Sequence, residues 1–224
     1  MKIITPYTMT KYQALVSAFA AVGSEGIRSR LILPNMAYGV HLLCEIGLME
    51  LIPDWELLKN VERAGWVARG VRDPESVAEH SVKVAQLALS LGMDTRLDIR
   101  RIISMGVVHD ISEARVGDIM PGQLPEDEKH ALEEEAIESI MRDVRKGRLY
   151  RDLFLEYNGK ETDEAQFVGQ VDKLEMINTA LRYQRRYPEL SGVFDGMWAF
   201  TRRKLTIERL IREFEILERM KLEL

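Results

Sequence analysis

Two of the four histidines in this chain stand beside acidic residues at spacings that could assemble a metal centre. His80 lies in ESVAEHS, in helical phase with Val77 and Val84, so its imidazole is expected to point inward with them. A buried imidazole needs partners for its nitrogens, because burying them unpaired costs free energy. A plain hydrogen-bonded core histidine is the alternative at that position. His109 and Asp110 stand together in VVHDISE, at the end of an apolar run from Met105 to Val108. A carboxylate placed there is expensive unless something cationic sits beside it. Glu113 follows His109 by four residues and Asp110 by three, on the same helix face one turn on. Asp118 falls in RVGD, where the glycine lets the chain bend back over the site. Here the alternative is a solvated helix end. Asp172, in FVGQVDKLEMI, lies one turn after Val168 and one before Met176 on an apolar helix, and a salt bridge to a nearby lysine or arginine is its ordinary explanation.

Two neutral imidazoles (His80, His109) and two carboxylates (Asp110, Asp172) form a mixed nitrogen and oxygen set. That set suits Mn²⁺, Co²⁺, Fe²⁺, Mg²⁺ or Zn²⁺ and lacks the thiolates of most structural zinc sites. Four protein ligands on an octahedral ion leave room for a water and a phosphate oxygen. The ion would acidify the one and polarise the other.

These residues must be positioned by helices. Sustained alternation of β-branched residues is missing, and no Asn-Gly or Asp-Gly turn joins two such runs. One helix is expected from Val77, with Asp73 as N-cap, Pro74 in the first turn, and Val84, Leu87, Ala88 and Leu91 on its apolar face up to a stop at Gly92. A second is expected from Asp98 to Ala114, with Ile99, Ile102, Ile103, Gly106 and Val107 facing inward. The MPGQLPEDE stretch reads as a loop ending in a helix start at Pro125, where three acids complement the helix dipole. Further helices are expected over residues 126–144, 163–183 and 201–224, the last amphipathic. The fold class is all-α. Three segments follow from this reading: an N-terminal helical segment of residues 1–55 that carries none of the chemistry, a central domain of 56–200, and the terminal helix of 201–224. The first could be an extra layer, a dimer surface or a lid.

Composition narrows the function. With 46% apolar and 30% charged residues the chain can build a core. A net charge of −5 argues against a partner that is a nucleic-acid backbone, but leaves room for a small phosphorylated substrate. No run reaches the roughly 18 apolar residues of a membrane span. The N-terminus has no secretory pattern, and the single cysteine, Cys44, fits a reducing compartment, so a cytoplasmic location is expected.

The pattern His80, His109-Asp110, Asp172 resembles that of the HD-domain phosphohydrolases. The stretches GWVARGVRDPESVAEHS, HDISEARVGDI, EEEAIESI and QVDKLEMI are similar to the 5′-deoxynucleotidase branch of that family over residues 57–183. The resemblance implies an HD-domain helical bundle with an additional N-terminal segment. It implies His80, His109, Asp110 and Asp172 as ligands of a divalent cation (Co²⁺, Mn²⁺, Mg²⁺ or Zn²⁺), and Glu113 and Asp118 as the acidic pair flanking the reacting phosphate. Trp66 matches a tryptophan beside the nucleotide, and Asp118 with its neighbour Ile119 joins the substrate-binding set. Some members of the branch have an arginine directly before that tryptophan. Here Gly65 stands there, so Arg63, Arg69 or Arg72 must supply the positive charge.

The expected reaction is hydrolysis of a deoxyribonucleoside 5′-monophosphate to nucleoside and phosphate. Two other readings compete with it: triphosphate release from deoxynucleoside triphosphates on the same metal site, and a non-catalytic nucleotide-binding module. The family also implies a homodimer. His41 and His130 are expected to be packing or surface residues.

Overall fold

The computed structural model describes residues 54–224, and these are helical, with no strand among them. His41 and Cys44, and the expected helical segment up to residue 53, lie outside the described residues. A helical stretch at 54–58 leads in. It is followed by α1 (Ala64–Val67), α2 (Val77–Gly92), α3 (Ile99–Val108), α4 (Glu113–Val116), α5 (Glu126–Met141), α6 (Gly147–Gly159) and α7 (Asp163–Arg186). A 3-10 stretch (Pro188–Phe194), α8 (Asp195–Lys204) and α9 (Glu208–Leu222) complete the chain. None of the described helices is long and apolar enough to cross a membrane.

The bundle is organised around α7. Its N-cap Thr162 accepts a hydrogen bond from the Ala165 N–H, and Asp163 and Glu164 occupy its first turn. Residues on every side of it are buried, among them Phe167, Val168, Val171, Leu174 and Ile177, the mark of a central helix rather than a surface one. Helices α2, α3, α6, α8 and α9 all pack against it.

Helix α2 begins at Val77, but its cap is Ser76 rather than the expected Asp73. The Ser76 hydroxyl accepts from the Glu79 N–H while the Glu79 carboxylate accepts from the Ser76 N–H, a reciprocal pairing that outcompetes the earlier start. The backbone N–H of Val77 also donates to the Val61 carbonyl, tying the helix start to the segment before α1. Asp98, expected as the first residue of this helix, is instead its N-cap, accepting from the Arg100 and Arg101 N–H groups. Helix α3 ends at Val108, short of the expected Ala114, and turns at 109–112 separate it from α4. Its buried face is Ile102, Met105, Gly106 and Val108, while Ile99, Ile103 and Val107 are only half-buried. The expected terminal helix from residue 201 is two helices, broken at 205–207 where the Gln170 side chain holds the Thr206 and Ile207 N–H groups. Leu210 and Phe214 of α9 enter the same core as α7. Helix α6 was not foreseen. Most of its apolar residues stand among charged ones.

Helices α2 and α3 make the most intimate crossing, and Gly106 is the reason. A Cβ at that position would sit 2.9 Å from Ala85 Cα and 3.0 Å from Ala85 N, both backbone atoms that cannot yield without moving the helix. This approach sets how closely His80 and His109 can meet. Gly106→Ala is therefore expected to destabilise the fold by about 1–3 kcal/mol, read as a lowered urea midpoint. An unchanged midpoint would mean that the helices can part without cost.

Candidate metal centre and substrate cavity

The inner face of α2 carries His80, that of α3 ends on His109, and α7 presents Asp172 between them. Ligand atoms of these three side chains lie within 4.8 Å of one another. His80 Nε2 is 3.1 Å from Asp172 Oδ1 and 3.7 Å from Asp110 Oδ2, and His109 Nε2 is 3.1 Å from the same Asp110 oxygen. Three of the four expected ligands therefore meet, and Asp110 lies beside both histidines.

The outer nitrogens say what the inner ones lack. His109 Nδ1 donates to the Gly106 carbonyl at 2.9 Å, and His80 Nδ1 pairs with Glu175 Oε2 at 2.8 Å. His80 Nε2 is hydrogen-bonded to Asp172 Oδ1 at 3.1 Å and carries a proton there when no cation is bound, whereas the His109 Nε2 lone pair faces the Asp110 carboxylate, acceptor against acceptor. His109 Nε2 is buried and has no hydrogen-bond partner, since its approach to Asp110 lacks the alignment for one. Such a cluster is stable only around positive charge. The donor set and this orphaned nitrogen fit a divalent cation, with His80, His109, Asp110 and Asp172 to hold it.

Other groups complete the electrostatics. Burial pushes the Asp110 carboxyl up, but His109, Arg63 and His80 outweigh it and hold it well below the usual carboxylate range. Burial likewise opposes the ionised form of Asp172, and the His80 hydrogen bond and Lys173 overcome it. Tyr157 of α6 donates to Asp172 Oδ2 at 3.1 Å, and its ring lies 5.0 Å from that of His109. Burial and then Asp172 raise its hydroxyl well above its ordinary value, so it remains a donor. Nothing in the sequence marked Tyr157, because the helix that carries it was not foreseen.

Of the three candidate arginines, Arg63 lies among the acids. Its backbone N–H donates to the Glu75 carbonyl, and its guanidinium lies 3.4 Å from Asp110 Oδ2 and 3.6 Å from Asp118 Oδ2. Burial would lower its pKa, but Asp110, Asp118, Glu113 and Asp172 raise it further, so it keeps its charge. Arg69 lines the adjoining cavity but donates to the Gly65 carbonyl at 2.8 Å. Arg72 is elsewhere, exposed, paired with Glu189 and lying over the Tyr187 ring.

Asp118 follows Gly117, whose φ of 75° provides the left-handed turn that RVGD suggested, and its Oδ2 accepts the Ala64 N–H at 2.8 Å. Glu113 is buried with Oε2 unpartnered. Burial first, then Asp110 and Asp118, push its carboxyl well above the usual range. Beside Arg63 and Asp118 opens a cavity of about 380 Å³ walled by Trp66, Met120, Pro121, Met176, Met197 and Phe200. Trp66 is 2% exposed and packs edge-on against Tyr183 and Phe194, and it also lines the cavity. Ile119 does not line it, and its carbonyl accepts from Lys129. His130 is an exposed residue 3.6 Å from Glu126.

The chain is similar to known proteins in sequence and in fold. A family model described as the HD domain matches residues 55–211. The chain is 42% identical over 143 residues to a mouse protein named 5′-deoxynucleotidase HDDC2, covering 62% of this chain and 70% of that one. It is 36% identical over 149 residues to the 5′-deoxynucleotidase hdd1 of Schizosaccharomyces pombe, covering 63% and 75%. Against the human 5′-deoxynucleotidase HDDC2 it is 43% identical over 57% of this chain and 63% of that one. Among solved structures, a protein of Pyrococcus horikoshii OT3 superposes with a TM-score of 0.64 at 29% identity, over 78% of this chain and 99% of that one. A predicted metal-dependent phosphohydrolase of Magnetospirillum magnetotacticum MS-1, at 22% identity and TM-score 0.61, shares the fold over 80% and 93%.

The site makes cation binding pH-dependent in a defined direction. Burial and Arg63 lower the His80 pKa, but hydrogen bonds to Asp172 and Glu175 and the Asp172 charge prevail, raising it to about 9 without a cation. A cation must displace that proton. Metal-free stability reads this poorly. The His80 contribution is lost as pH rises from 6.5 toward 9. The penalty for burying Lys160, whose pKa burial pulls down to about 7, fades from there up toward 10.5 and so overlaps that window with the opposite sign. Affinity for Co²⁺, measured against a competing chelator, is instead expected to climb from pH 6.5 to 8.5. A plateau from pH 7 upward would contradict the protonated His80.

Proposed function

The chain belongs to the HD-domain family, and on that premise we propose that it is a 5′-deoxynucleotidase, hydrolysing deoxyribonucleoside 5′-monophosphates to nucleoside and phosphate. The observation that carries this reading is a single juxtaposition. The buried Arg63 guanidinium lies against Asp110 and Asp118 where the imidazole and carboxylate cluster meets an apolar cavity walled by Trp66. Charge for one phosphate and a flat apolar surface for the rest of a nucleotide are thereby adjacent. The curated relatives named as 5′-deoxynucleotidases support it.

The proposed roles follow from placement. His80, His109, Asp110 and Asp172 hold a divalent cation, which when bound acidifies water and polarises the phosphoryl group. Arg63 matches charge on the non-bridging oxygens. Asp118, fixed by the Ala64 N–H and facing Arg63, orients the attacking water. Glu113, buried and pushed toward its protonated form, delivers a proton to the departing 5′-oxygen. Trp66, Met176 and Phe200 enclose sugar and base and exclude water. Arg63 and Arg69 are the cations that line the cavity among the described residues, and Arg69 is tied to Gly65. That supply suits one phosphate better than three. The proposal extends to a homodimer in the cytoplasm, acting on a small nucleotide rather than nucleic acid. The net charge of −5 and the exposed Ile216 and Leu222 on α9 support it.

The test is phosphate release from deoxy- and ribonucleoside mono- and triphosphates after chelation and return of Co²⁺, Mn²⁺, Mg²⁺ or Zn²⁺. Orthophosphate from deoxymonophosphates, restored by a cation and abolished in Asp110→Ala, is the expected result. Triphosphate release from deoxytriphosphates alone would replace this reading with the triphosphohydrolase one, and no release from any substrate would reject both. In the same assay Glu113→Gln is expected to lower kcat by about 10²–10⁴-fold, the usual worth of a positioned general acid. An unchanged kcat would remove Glu113 from the chemistry.

A further inference from the structure

Behind His80, away from the cation point, lies a second buried group of acids. Glu75 and Glu175 together with His80 satisfy the spacing of a metal-binding group. That place already contains a cation, because the Lys83 ammonium forms a short ion pair with Glu75 Oε2 and lies 3.9 Å from Glu175 Oε1. Each carboxylate uses its other oxygen elsewhere. Glu75 Oε1 accepts the Trp66 indole N–H at 3.0 Å, and Glu175 Oε2 holds His80 Nδ1 at 2.8 Å. Thr179 donates to Glu175 Oε1 at 2.7 Å, and the Glu75 N–H donates to the Tyr183 hydroxyl at 2.8 Å, so neither acid can swing away freely. Glu75, Glu175, Trp66 and His80 are all at least nine-tenths buried.

The result is one unbroken path, Trp66 to Glu75 to Lys83 to Glu175 to His80, from the cavity wall to a proposed cation ligand. We propose that Lys83 is a positioning residue: by holding Glu75 and Glu175 together it orients His80 for the cation and locks the indole of the nucleotide cavity to the same frame. This rests on the nucleotidase reading for the identity of the site, and the path itself rests on the contacts above. Lys83 is suited to the task because one ammonium can serve two carboxylates. Without it, two buried negative groups would face each other and relax apart. The Glu175 carboxylate sets the direction of the His80 lone pair, as acidic partners of metal-binding histidines do. Lys83 in turn sets the position of that carboxylate.

The test measures Co²⁺ affinity and the visible absorption of bound Co²⁺ in the full chain, with far-UV circular dichroism and thermal midpoint to establish folding. Lys83→Met is expected to weaken Co²⁺ binding by about 10-fold or more, the lower range for loss of an outer partner, and to alter the Co²⁺ bands. Lys83→Arg, which keeps a cation able to bridge both acids, is expected to restore both. Glu75→Gln keeps an acceptor for the Trp66 indole and touches no cation ligand, yet is expected to weaken Co²⁺ binding by about fivefold through Lys83. Folded Lys83→Met and Glu75→Gln proteins with wild-type Co²⁺ affinity and spectrum would overturn the proposal. If Lys83→Met fails to fold, Glu75→Gln alone decides it. If the unaltered chain takes up no Co²⁺, the nucleotidase reading itself falls and this inference with it, an outcome distinct from a wild-type centre indifferent to Lys83.

Discussion

The structure depends on one constraint: two imidazoles and two carboxylates must be held together where a helical bundle buries both rings and half-buries both acids. Left alone, such a group would repel itself or take up protons. What surrounds it is arranged accordingly. Gly106 lends its carbonyl to His109, Glu175 takes the outer nitrogen of His80, Tyr157 donates to Asp172 and Arg63 leans on Asp110. Each contact comes from a different element, so the convergence of α1, α2, α3, α6 and α7 is as much an electrostatic arrangement as an apolar one. The price in stability is carried by the core around α7, where residues such as Val168, Val171 and Ile177 are fully buried.

The same constraint explains the position of the cavity. Asp172 and Met176 are neighbours one turn apart on α7, the first turned toward the cluster and the second lining the cavity. Trp66 lies only three residues beyond Arg63, in a short helix tethered to the start of α2 by the Arg63 and Val77 backbone N–H groups. Charge recognition and apolar recognition are thus adjacent in sequence as well as in space.

Much of this was legible beforehand because periodicity and cost are local properties. His80 falls in phase with Val77 and Val84, and a His-Asp pair after an apolar run announces its own expense. The helical class, the helix start near Asp98, the start after Pro125 and the turn at Gly117 also followed from local chemistry. The misplacements have local causes as well. Ser76 displaced Asp73 because a reciprocal pairing with Glu79 caps better than a lone acid. The expected terminal helix is broken because Gln170, from another helix, holds Thr206 and Ile207. What could not be read were contacts made across the fold. No sequence spacing joins Tyr157 to Asp172 as a ligand's support, or singles out Arg63 from Arg69 and Arg72. The pairing of Glu75 with Lys83 spans eight residues, and that of His80 with Glu175 spans 95, so only tertiary structure brings the four together.

Whether the converging nitrogens and oxygens form a cation site is tested most directly by anomalous diffraction from crystals grown with Co²⁺. One strong peak is expected within bonding distance of His80 Nε2, His109 Nε2, Asp110 and Asp172, with both Nδ1 contacts retained. A fully occupied peak elsewhere in the chain, or none at this point while the four side chains keep their places, would contradict it.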